Sequence, residues 1–332
     1  MRLLHPAPVF PANDMATLRT SLPENVDMSN PPIIDHPGGK PRFKLQKASR
    51  LLWLLLLPSL LATSGCNRFA MLNAFVPPWG YTRTASIPYG PSPRQTLDLY
   101  HPCGAAPHAD IIIFFYGGDL QRGTKADYRF VAQALTSRGF IAVLPDYRLY
   151  PDVTFPAFID DGALAVRWVH DHARQIGGDP DHLYLMGHSA GAYIAVLLTL
   201  DAQYLNRVGL DRSSIRATAS ISGPFNFVPP PEDRAVFSMA RNDTRPDPDI
   251  EPINFVDGHA PPLLLLQGLK DPEVDPANAT ELAALIRKKG GEADYIAYPD
   301  RAHVGMVLAL AYPFRWLAPV LHDTTKFFHD HQ

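Results

Sequence analysis

The sequence is poor in cysteine and in charged residues. Cys66 and Cys103 are the only cysteines among 332 residues, too few for a disulfide framework or a cysteine-based zinc cluster. Charged residues make up 19% and apolar residues 46%, a composition that excludes intrinsic disorder of the chain as a whole. The fold must therefore rest on a hydrophobic core.

An excess of positive charge is also lacking. The formal net charge is −3 at pH 7, and residues 66–332 carry 23 basic against 29 acidic side chains. Proteins that bind nucleic acids usually present a strongly basic surface. The sequence therefore predicts no nucleic-acid partner.

The apolar run near the N-terminus is too short to cross a membrane. Residues 51–62 form a run of 12 residues interrupted by Pro58, whereas a spanning helix needs about 20. Basic residues precede the run and small residues follow it, which is the layout of an export signal, assigned to residues 40–65. Residues 1–39 contain seven prolines and no helix or strand periodicity, so we expect them to be disordered.

Residues 60–66 read Leu-Leu-Ala-Thr-Ser-Gly-Cys and resemble the lipobox of bacterial lipoproteins. In a lipobox the cysteine is lipidated and becomes the mature N-terminus, which would be Cys66. Thr63 departs from the pattern, since leucine is usual there, and an ordinary secretory signal cleaved nearby is the alternative. We expect an exported protein, either periplasmic or anchored to a membrane by lipid on Cys66.

Strands and helices are predicted to alternate from about residue 80. Residues 81–87 and 95–100 alternate in polarity around a turn and predict an antiparallel hairpin. Nearly continuous apolar runs, as in strands buried on both faces, occupy residues 110–116, 140–145, 182–186, 215–221 and 262–267, and another strand is expected at 292–298. Helical stretches lie at 127–138, 156–176, 190–205 and 277–289. This order predicts an α/β fold, a mostly parallel sheet with helices on both faces.

We expect a single folded domain over residues 66–332. Residues 224–261 interrupt the alternation, with eight prolines in 38 residues between two predicted strands. A structureless connection of this length is unusual inside a compact domain. The segment is therefore predicted to form a small cap.

Gly187-His188-Ser189-Ala190-Gly191 matches the pattern G-x-S-x-G. It follows one predicted strand and opens a predicted helix, the context in which the motif presents a serine nucleophile on a sharp turn. A glycine-rich turn without chemistry is the alternative. His188 is expected to pack beneath the turn.

A serine hydroxyl needs an imidazole base, and the base needs a carboxylate to orient it. Asp271 and His303 each follow a predicted parallel strand, so both would lie at the same sheet edge as Ser189. The chain order Ser, Asp, His agrees with this architecture. The alternatives are Glu273 and Asp275 for the acid, and His259 and His322 for the base.

Attack on a carbonyl creates an oxyanion, which main-chain N–H groups can stabilise. Ala190 offers one such group at the start of its helix. Gly117 and Gly118 follow the strand at residues 110–116, and paired glycines let the main chain approach a substrate closely. A plain turn is the alternative for this pair.

With these features the chain resembles the α/β-hydrolases, and among them the hormone-sensitive-lipase-like carboxylesterases. The resemblance covers residues 80–332 and rests on the segments 115–118, 145–149, 155–157, 187–191 and 299–303. It implies a triad of Ser189, Asp271 and His303, with Gly117, Gly118 and Ala190 as oxyanion donors. Two departures are Tyr116, where the family's His-Gly-Gly motif has histidine, and Asp119-Leu120 after the glycine pair.

We therefore expect a serine carboxylester hydrolase that acts on small-molecule esters through an acyl-enzyme, without a metal ion or an organic cofactor. A serine peptidase of the same fold and a non-catalytic binding protein are the alternatives. Asp119 should point away from the oxyanion, because two like charges about 4 Å apart at an effective dielectric near 20 repel by about 4 kcal/mol. Its expected partners are either nearby main-chain N–H groups of the loop or a cation such as Arg122 or Lys125.

Overall fold

The computed structural model describes residues 65–237 and 250–332. Its strands are β1 Tyr81–Pro88, β2 Thr96–Pro102, β3 Ala109–Phe115, β4 Ile141–Pro145, β5 Gly178–His188, β6 Ala217–Ile221, β7 Leu263–Gly268 and β8 Ala293–Tyr298. Its helices are α1 Gly65–Ala74, α2 Arg129–Thr136, α3 Ala157–His172, α4 Ala190–Leu200, α5 Ala202–Arg207, α6 Ala277–Lys288, α7 His303–Leu308 and α8 Val320–Asp330.

The strands form one sheet in the order β1-β2-β4-β3-β5-β6-β7-β8. β2 is antiparallel to both β1 and β4, and the remaining neighbours are parallel. Gly187, near the end of β5, pairs with Phe115 of β3 on one side and Ser220 of β6 on the other. The G-x-S-x-G turn therefore lies in the middle of the sheet edge formed by the carboxyl ends of the parallel strands.

The core lies on both faces of the sheet, as successive residues of β7 illustrate. Leu263 and Leu265 pack in a cluster with residues of α4 and α6, including Leu282. Leu264 and Leu266 belong to a second cluster that contains residues of α7 and α8. Side chains alternate between the two faces of a strand, so helices cover both sides, and the predicted α/β class with a mostly parallel sheet is confirmed.

The predicted hairpin and parallel strands are present with small shifts of their ends, but the helix predicted over residues 190–205 is wrong as one element. α4 ends at Leu200 and α5 begins at Ala202. Asp201 between them has extended backbone angles, φ −96° and ψ 99°, and its carboxylate accepts the main-chain N–H of Gln203. An aspartate at an N-cap favours a new helix start over continuation of the old helix.

The sequence did not predict α1, which follows directly on the assigned export signal. Its Leu72 is buried, and the ring of Phe69 lies 4.9 Å from the ring of Tyr128. The side-chain amide of Asn73 donates to the carbonyl of Ala126 at 2.8 Å. α1 is thus part of the folded domain.

Some predictions lie outside the described residues. The expected disorder of residues 1–39 and the export signal at 40–65 lie there, apart from Gly65, the first residue of α1. The cap predicted at 224–261 is described on either side of residues 238–249, and its two described parts contain the short 3-10 helices Arg234–Phe237 and Pro252–Phe255. Among the described helices, none combines the length and apolar character needed to span a bilayer.

Candidate active site

Ser189 occupies a strained turn between β5 and α4. Its φ of 55° and ψ of −124° lie in a region that residues other than glycine rarely adopt. The main-chain N–H of Ser189 donates to the carbonyl of Ile221 at 2.9 Å and ties the turn to β6. A Cβ atom on Gly187 would collide with the carbonyl of Gly191, and one on Gly191 with the carbonyl of Phe115. This crowding explains why the motif needs both glycines.

Asp271 and His303 are joined by a hydrogen bond of 2.8 Å between Oδ2 and the imidazole Nδ1. The side chain of Asp271 is inaccessible to solvent and that of His303 is 4% exposed. The other carboxylate oxygen of Asp271 accepts the main-chain N–H groups of Glu273 and Val274 at 2.9 and 3.0 Å. The amide of Gln267 also donates to Oδ2, at 3.1 Å. The carboxylate is therefore held in one orientation beneath the imidazole.

Burial and hydrogen bonding fix the charges of two groups in the site. Burial alone would raise the pKa of Asp271, but the hydrogen bonds from His303 and from two main-chain N–H groups outweigh it and hold the pKa below its usual value. Burial, aided by the neighbouring His303, lowers the pKa of His188 to about 3. Near neutral pH Asp271 is ionised and His188 is neutral.

His303 contacts the residue that precedes Ser189. The rings of His188 and His303 lie 4.9 Å apart between centres, and His188 Nε2 is 3.4 Å from the carbonyl oxygen of His303. No hydrogen bond joins the Ser189 hydroxyl to His303 within the described residues. Contacts between catalytic groups often tighten only when substrate binds. Asp271 and His303 are thus already paired, while Ser189 lies nearby without a direct bond.

Glu273 is a member of the site that the sequence identified only as a rival to Asp271. Its Oε2 lies 3.6 Å from Nε2 of His303, the imidazole nitrogen opposite the one bound by Asp271. Its side chain is 54% exposed. The imidazole therefore lies between two carboxylates. The sequence indicated that Glu273 belongs to the site only by its position, two residues after Asp271 in the same loop.

The glycine pair lies directly against the serine. A Cβ atom on Gly117 would be 3.0 Å from Cβ of Ser189 and 2.9 Å from the carbonyl oxygen of His188. Gly118 has a φ of 139°, a conformation in which a side chain is strained. Ala190 is the first residue of α4. The structure brings these residues together around Ser189, and their role as oxyanion donors stays a prediction.

A buried polar network supports the loop that carries Gly117 and Gly118. The hydroxyl of Tyr147 donates to the carbonyl of Tyr116 at 2.7 Å. The hydroxyl of Tyr116 donates to Asp146 at 2.9 Å, and Lys125 donates to the other oxygen of Asp146 at 2.8 Å. Tyr116 therefore replaces the family's histidine with a phenol that reaches an internal carboxylate.

Asp119 forms an ion pair with Arg122, as predicted, whereas Lys125 is engaged by Asp146. The carboxylate of Asp119 is 42% exposed. Asp119 and Leu120 both have positive φ, 58° and 61°, so the chain turns sharply after the glycine pair. The turn and the ion pair hold the carboxylate at the rim of the site.

A cavity of about 540 Å³ opens over Ser189 and Ala190. Its volume is that of a site for a small organic molecule. Its apolar lining includes Leu120, Tyr193, Phe227, Phe237 and Val274. The nucleophile candidate is therefore exposed to a cavity whose lining includes both apolar and acidic side chains.

The remaining residues that the sequence analysis considered lie away from the Asp271–His303 pair or have other partners. His259 and His322 are exposed, and Asp275 accepts the main-chain N–H of Ala277 at the start of α6. Cys66 lies in α1, and Cys103 is a free, exposed cysteine. Within the described ranges, His, Cys, Asp and Glu form no group that could hold a metal ion.

A serine on a strained strand-to-helix turn, an Asp–His pair after later strands and glycines beside the serine are the parts required for nucleophilic acyl transfer. Together with the sheet order they define an α/β-hydrolase fold. The chain belongs to the BD-FAE family, whose model matches residues 97–286. The matched range contains Ser189 and Asp271 and ends before His303.

Two curated relatives illustrate the similarity in sequence. The chain is 27% identical over 270 residues to a probable isoprenylcysteine alpha-carbonyl methylesterase, ICMEL1, of Arabidopsis thaliana, covering 74% of this chain and 56% of the relative. It is 28% identical over 258 residues to the esterase LipQ of Mycobacterium tuberculosis, covering 73% of this chain and 61% of the relative. The chain thus spans less than two thirds of the length of each of these relatives.

Two solved structures share the fold. A truncated carbohydrate esterase from gut microbiota superposes with a TM-score of 0.66 at 23% identity, covering 76% of this chain and 97% of that one. Esterase B from Lactobacillus rhamnosis superposes with a TM-score of 0.67 at 22% identity, covering 86% of this chain and 96% of that one. At these identities the likeness concerns the fold.

Proposed function

We propose that the protein is a serine carboxylester hydrolase that acts on small-molecule esters. The observation that carries the proposal is the 2.8 Å hydrogen bond between Asp271 and His303, formed at the sheet edge that also carries Ser189. An imidazole oriented by a buried carboxylate is the base that a serine nucleophile requires. The names of the curated relatives, an esterase and a methylesterase, support ester hydrolysis.

The proposed reaction has two steps. His303 Nε2 takes the proton of Ser189, whose oxygen attacks the ester carbonyl. The resulting oxyanion accepts hydrogen bonds from main-chain N–H groups of Gly117, Gly118 and Ala190. His303 then gives the proton to the leaving alcohol, and an acyl-enzyme remains on Ser189. Water, activated by the same imidazole, hydrolyses the acyl-enzyme. Asp271 orients the imidazole and stabilises its charged form.

Labelling with a fluorophosphonate probe tests this proposal. The probe forms a covalent bond only with an activated serine, so mass spectrometry should find it on Ser189. A series of p-nitrophenyl esters of increasing acyl length then measures turnover and the preferred chain length. Absence of both labelling and turnover would favour a non-catalytic binding protein. Labelling with turnover of peptide amides but not of esters would favour a peptidase.

We further propose that the protein is exported and anchored by lipid on Cys66. The support is the order of basic, apolar and small residues that ends at this cysteine. α1 begins at Gly65, and Leu72 within it is buried, so a lipid on Cys66 would attach directly to the folded domain. Each buried CH₂ of a lipid contributes about 0.8 kcal/mol, so multiple acyl chains hold a protein firmly at a membrane.

Expression of the full chain in a Gram-negative host tests the anchor. The wild type should sediment with the membrane fraction, and Cys66→Ala should be recovered in the soluble fraction. Cys103→Ala serves as the matched control, because it also removes one thiol and should sediment like the wild type. Equal recovery of wild type and Cys66→Ala in the soluble fraction would favour an ordinary secretory signal.

A further inference from the structure

The second carboxylate beside His303 lies next to the place where the alcohol of an ester must leave. His303 Nε2 is the atom that returns the proton to the departing alcohol, so that oxygen comes within hydrogen-bond distance of Nε2. Glu273 Oε2 lies 3.6 Å from the same nitrogen. A substituent carried by the alcohol is therefore close to the carboxylate of Glu273.

Glu273 is available for such a substituent. Within the described residues its carboxylate has no partner other than His303, and its side chain is 54% exposed. The other four carboxylates that line the cavity each have a partner elsewhere in the described chain. They are Asp119 with Arg122, Asp233 with Gln121, Glu281 with Asn226, and Asp275 with the main chain of Ala277.

The rest of the lining also favours a positive substituent. In the described part of the chain the cavity is lined by five acidic side chains and by neither lysine nor arginine. Three aromatic lining residues, Tyr193, Phe227 and Phe237, form one cluster with ring centres 5.6 to 6.0 Å apart. Aromatic rings together with a carboxylate are the surroundings that attract a quaternary ammonium group.

We propose that Glu273 makes the enzyme selective for esters whose alcohol carries a permanent positive charge, such as a quaternary ammonium group. This inference rests on the proposed ester hydrolysis and names the substrate class of the same site. Glu273 acts on the alcohol and not on the acyl group, so the selectivity belongs to the leaving group. Esters of anionic alcohols are disfavoured by the same carboxylate.

Two substrates of similar shape separate the effect of the positive charge on the alcohol from the effect of its size. Acetylcholine and 3,3-dimethylbutyl acetate have nearly the same shape, but a trimethylammonium group in the first is a tert-butyl group in the second. The ratio of their kcat/KM values, measured by titration of the released acid, should favour acetylcholine by about tenfold at low salt. Because Glu273 is partly exposed, the ratio should decrease as sodium chloride is added.

Glu273→Gln tests the assignment to this residue. The glutamine keeps the size of the side chain and removes its charge, so the ratio should fall to about one whatever happens to the absolute rates. Asp171→Asn is the matched control, because it also removes one exposed carboxylate but lies on α3, where Arg167 is its partner. The control should keep the wild-type ratio.

The outcomes separate the two proposals. A wild-type ratio near or below one, or a ratio that Glu273→Gln leaves unchanged, overturns the selectivity. Hydrolysis of p-nitrophenyl acetate without hydrolysis of acetylcholine also overturns the selectivity while leaving the esterase intact. Absence of hydrolysis of these three esters and of the whole p-nitrophenyl ester series, together with absence of fluorophosphonate labelling, overturns the proposed esterase itself.

Discussion

Asp119 and Arg122 form an ion pair within the sharp turn that follows the glycine pair of the site. Their side chains are 42% and 76% exposed, so the pair lies at the protein surface at the rim of the cavity. A negative charge pointing at the oxyanion would oppose the reaction. Arg122 pairs with the carboxylate of Asp119 at the surface, so this negative charge has a partner away from the oxyanion.

Replacement of Asp119 by asparagine should therefore change kcat only modestly. Asparagine keeps the shape of the side chain and tolerates the positive φ at this position, so we expect a change of less than about tenfold in kcat. Steady-state kinetics with a p-nitrophenyl ester measure it. A gain of a hundredfold or more would mean that the charge of Asp119 faces the oxyanion.

Ser189→Ala should abolish ester hydrolysis and leave the fold intact. Removal of the nucleophile removes the covalent route, which in serine hydrolases costs about a millionfold in kcat. Circular dichroism and the thermal midpoint should stay close to those of the wild type, because Ser189 lines the cavity and loss of its hydroxyl leaves no hydrogen-bond partner unpaired within the described residues. Substantial turnover by a folded Ser189→Ala protein contradicts the assignment of the nucleophile.

Activity should fall as the pH is lowered from 8 to 5. Only a neutral His303 can accept the proton of Ser189. Asp271, whose pKa is lowered, stays ionised in this range, and His188, whose pKa is about 3, stays neutral. The decrease in kcat/KM should therefore not arise from a change in the charge of Asp271 or His188. A flat profile between pH 5 and 8 contradicts a histidine base.

His188 should make the fold sensitive to acid. The unfolded chain takes up a proton on this side chain near pH 6.5, whereas the folded chain does so only near pH 3. Its contribution to stability is complete above about pH 6.5 and is lost as the pH falls from there towards 3.

The magnitude follows from the same linkage. Between pH 7 and pH 5 the loss attributable to His188 is about 2 kcal/mol. Urea unfolding at both pH values measures this loss in the free energy of unfolding. His188→Gln has no imidazole to protonate, so its free energy of unfolding should fall by about 2 kcal/mol less than that of the wild type over this interval. Equal losses in the two proteins contradict a buried neutral histidine.

Removal of the Tyr147 hydroxyl should destabilise the loop that carries Gly117 and Gly118. Tyr147→Phe leaves the buried carbonyl of Tyr116 without its 2.7 Å hydrogen bond, at an expected cost of about 1 to 3 kcal/mol in the free energy of unfolding. kcat should decrease because this loop lies against Ser189.

Tyr100→Phe is the matched control. Tyr100 is also fully buried, but its hydroxyl has no hydrogen-bond partner within the described residues. Its removal should leave stability unchanged or raise it slightly. A similar loss of stability in both variants would mean that the hydrogen bond to Tyr116 contributes little.

Much of the sheet was predictable from the sequence because strands buried on both faces must be almost continuously apolar. The run Ile111 to Phe115 in β3 is an example, since all of its residues are fully buried. The G-x-S-x-G motif was also recognisable, because crowding at Gly187 and Gly191 restricts the residues that fit there.

Other features depend on contacts between distant parts of the chain. α1 is held by contacts of Phe69 and Asn73 with residues more than 50 positions away, which no local pattern reveals. The approach of Glu273 to His303 depends on how the loops after β7 and β8 meet. The break at Asp201 was local and resembles an N-cap, but the apolar pattern around it favoured a continuous helix.

The place of β8 in the sheet order has a consequence for how the enzyme loses activity. Within the described chain β8 pairs only with β7, whereas β5 has strand neighbours on both sides. Strands bonded on one side open at a lower free-energy cost than central strands. Local unfolding of β8 would displace His303, which follows this strand in the chain. The central strands that position Ser189 would stay folded. Heat inactivation would then begin as a local event that reverses on cooling, before the rest of the molecule melts.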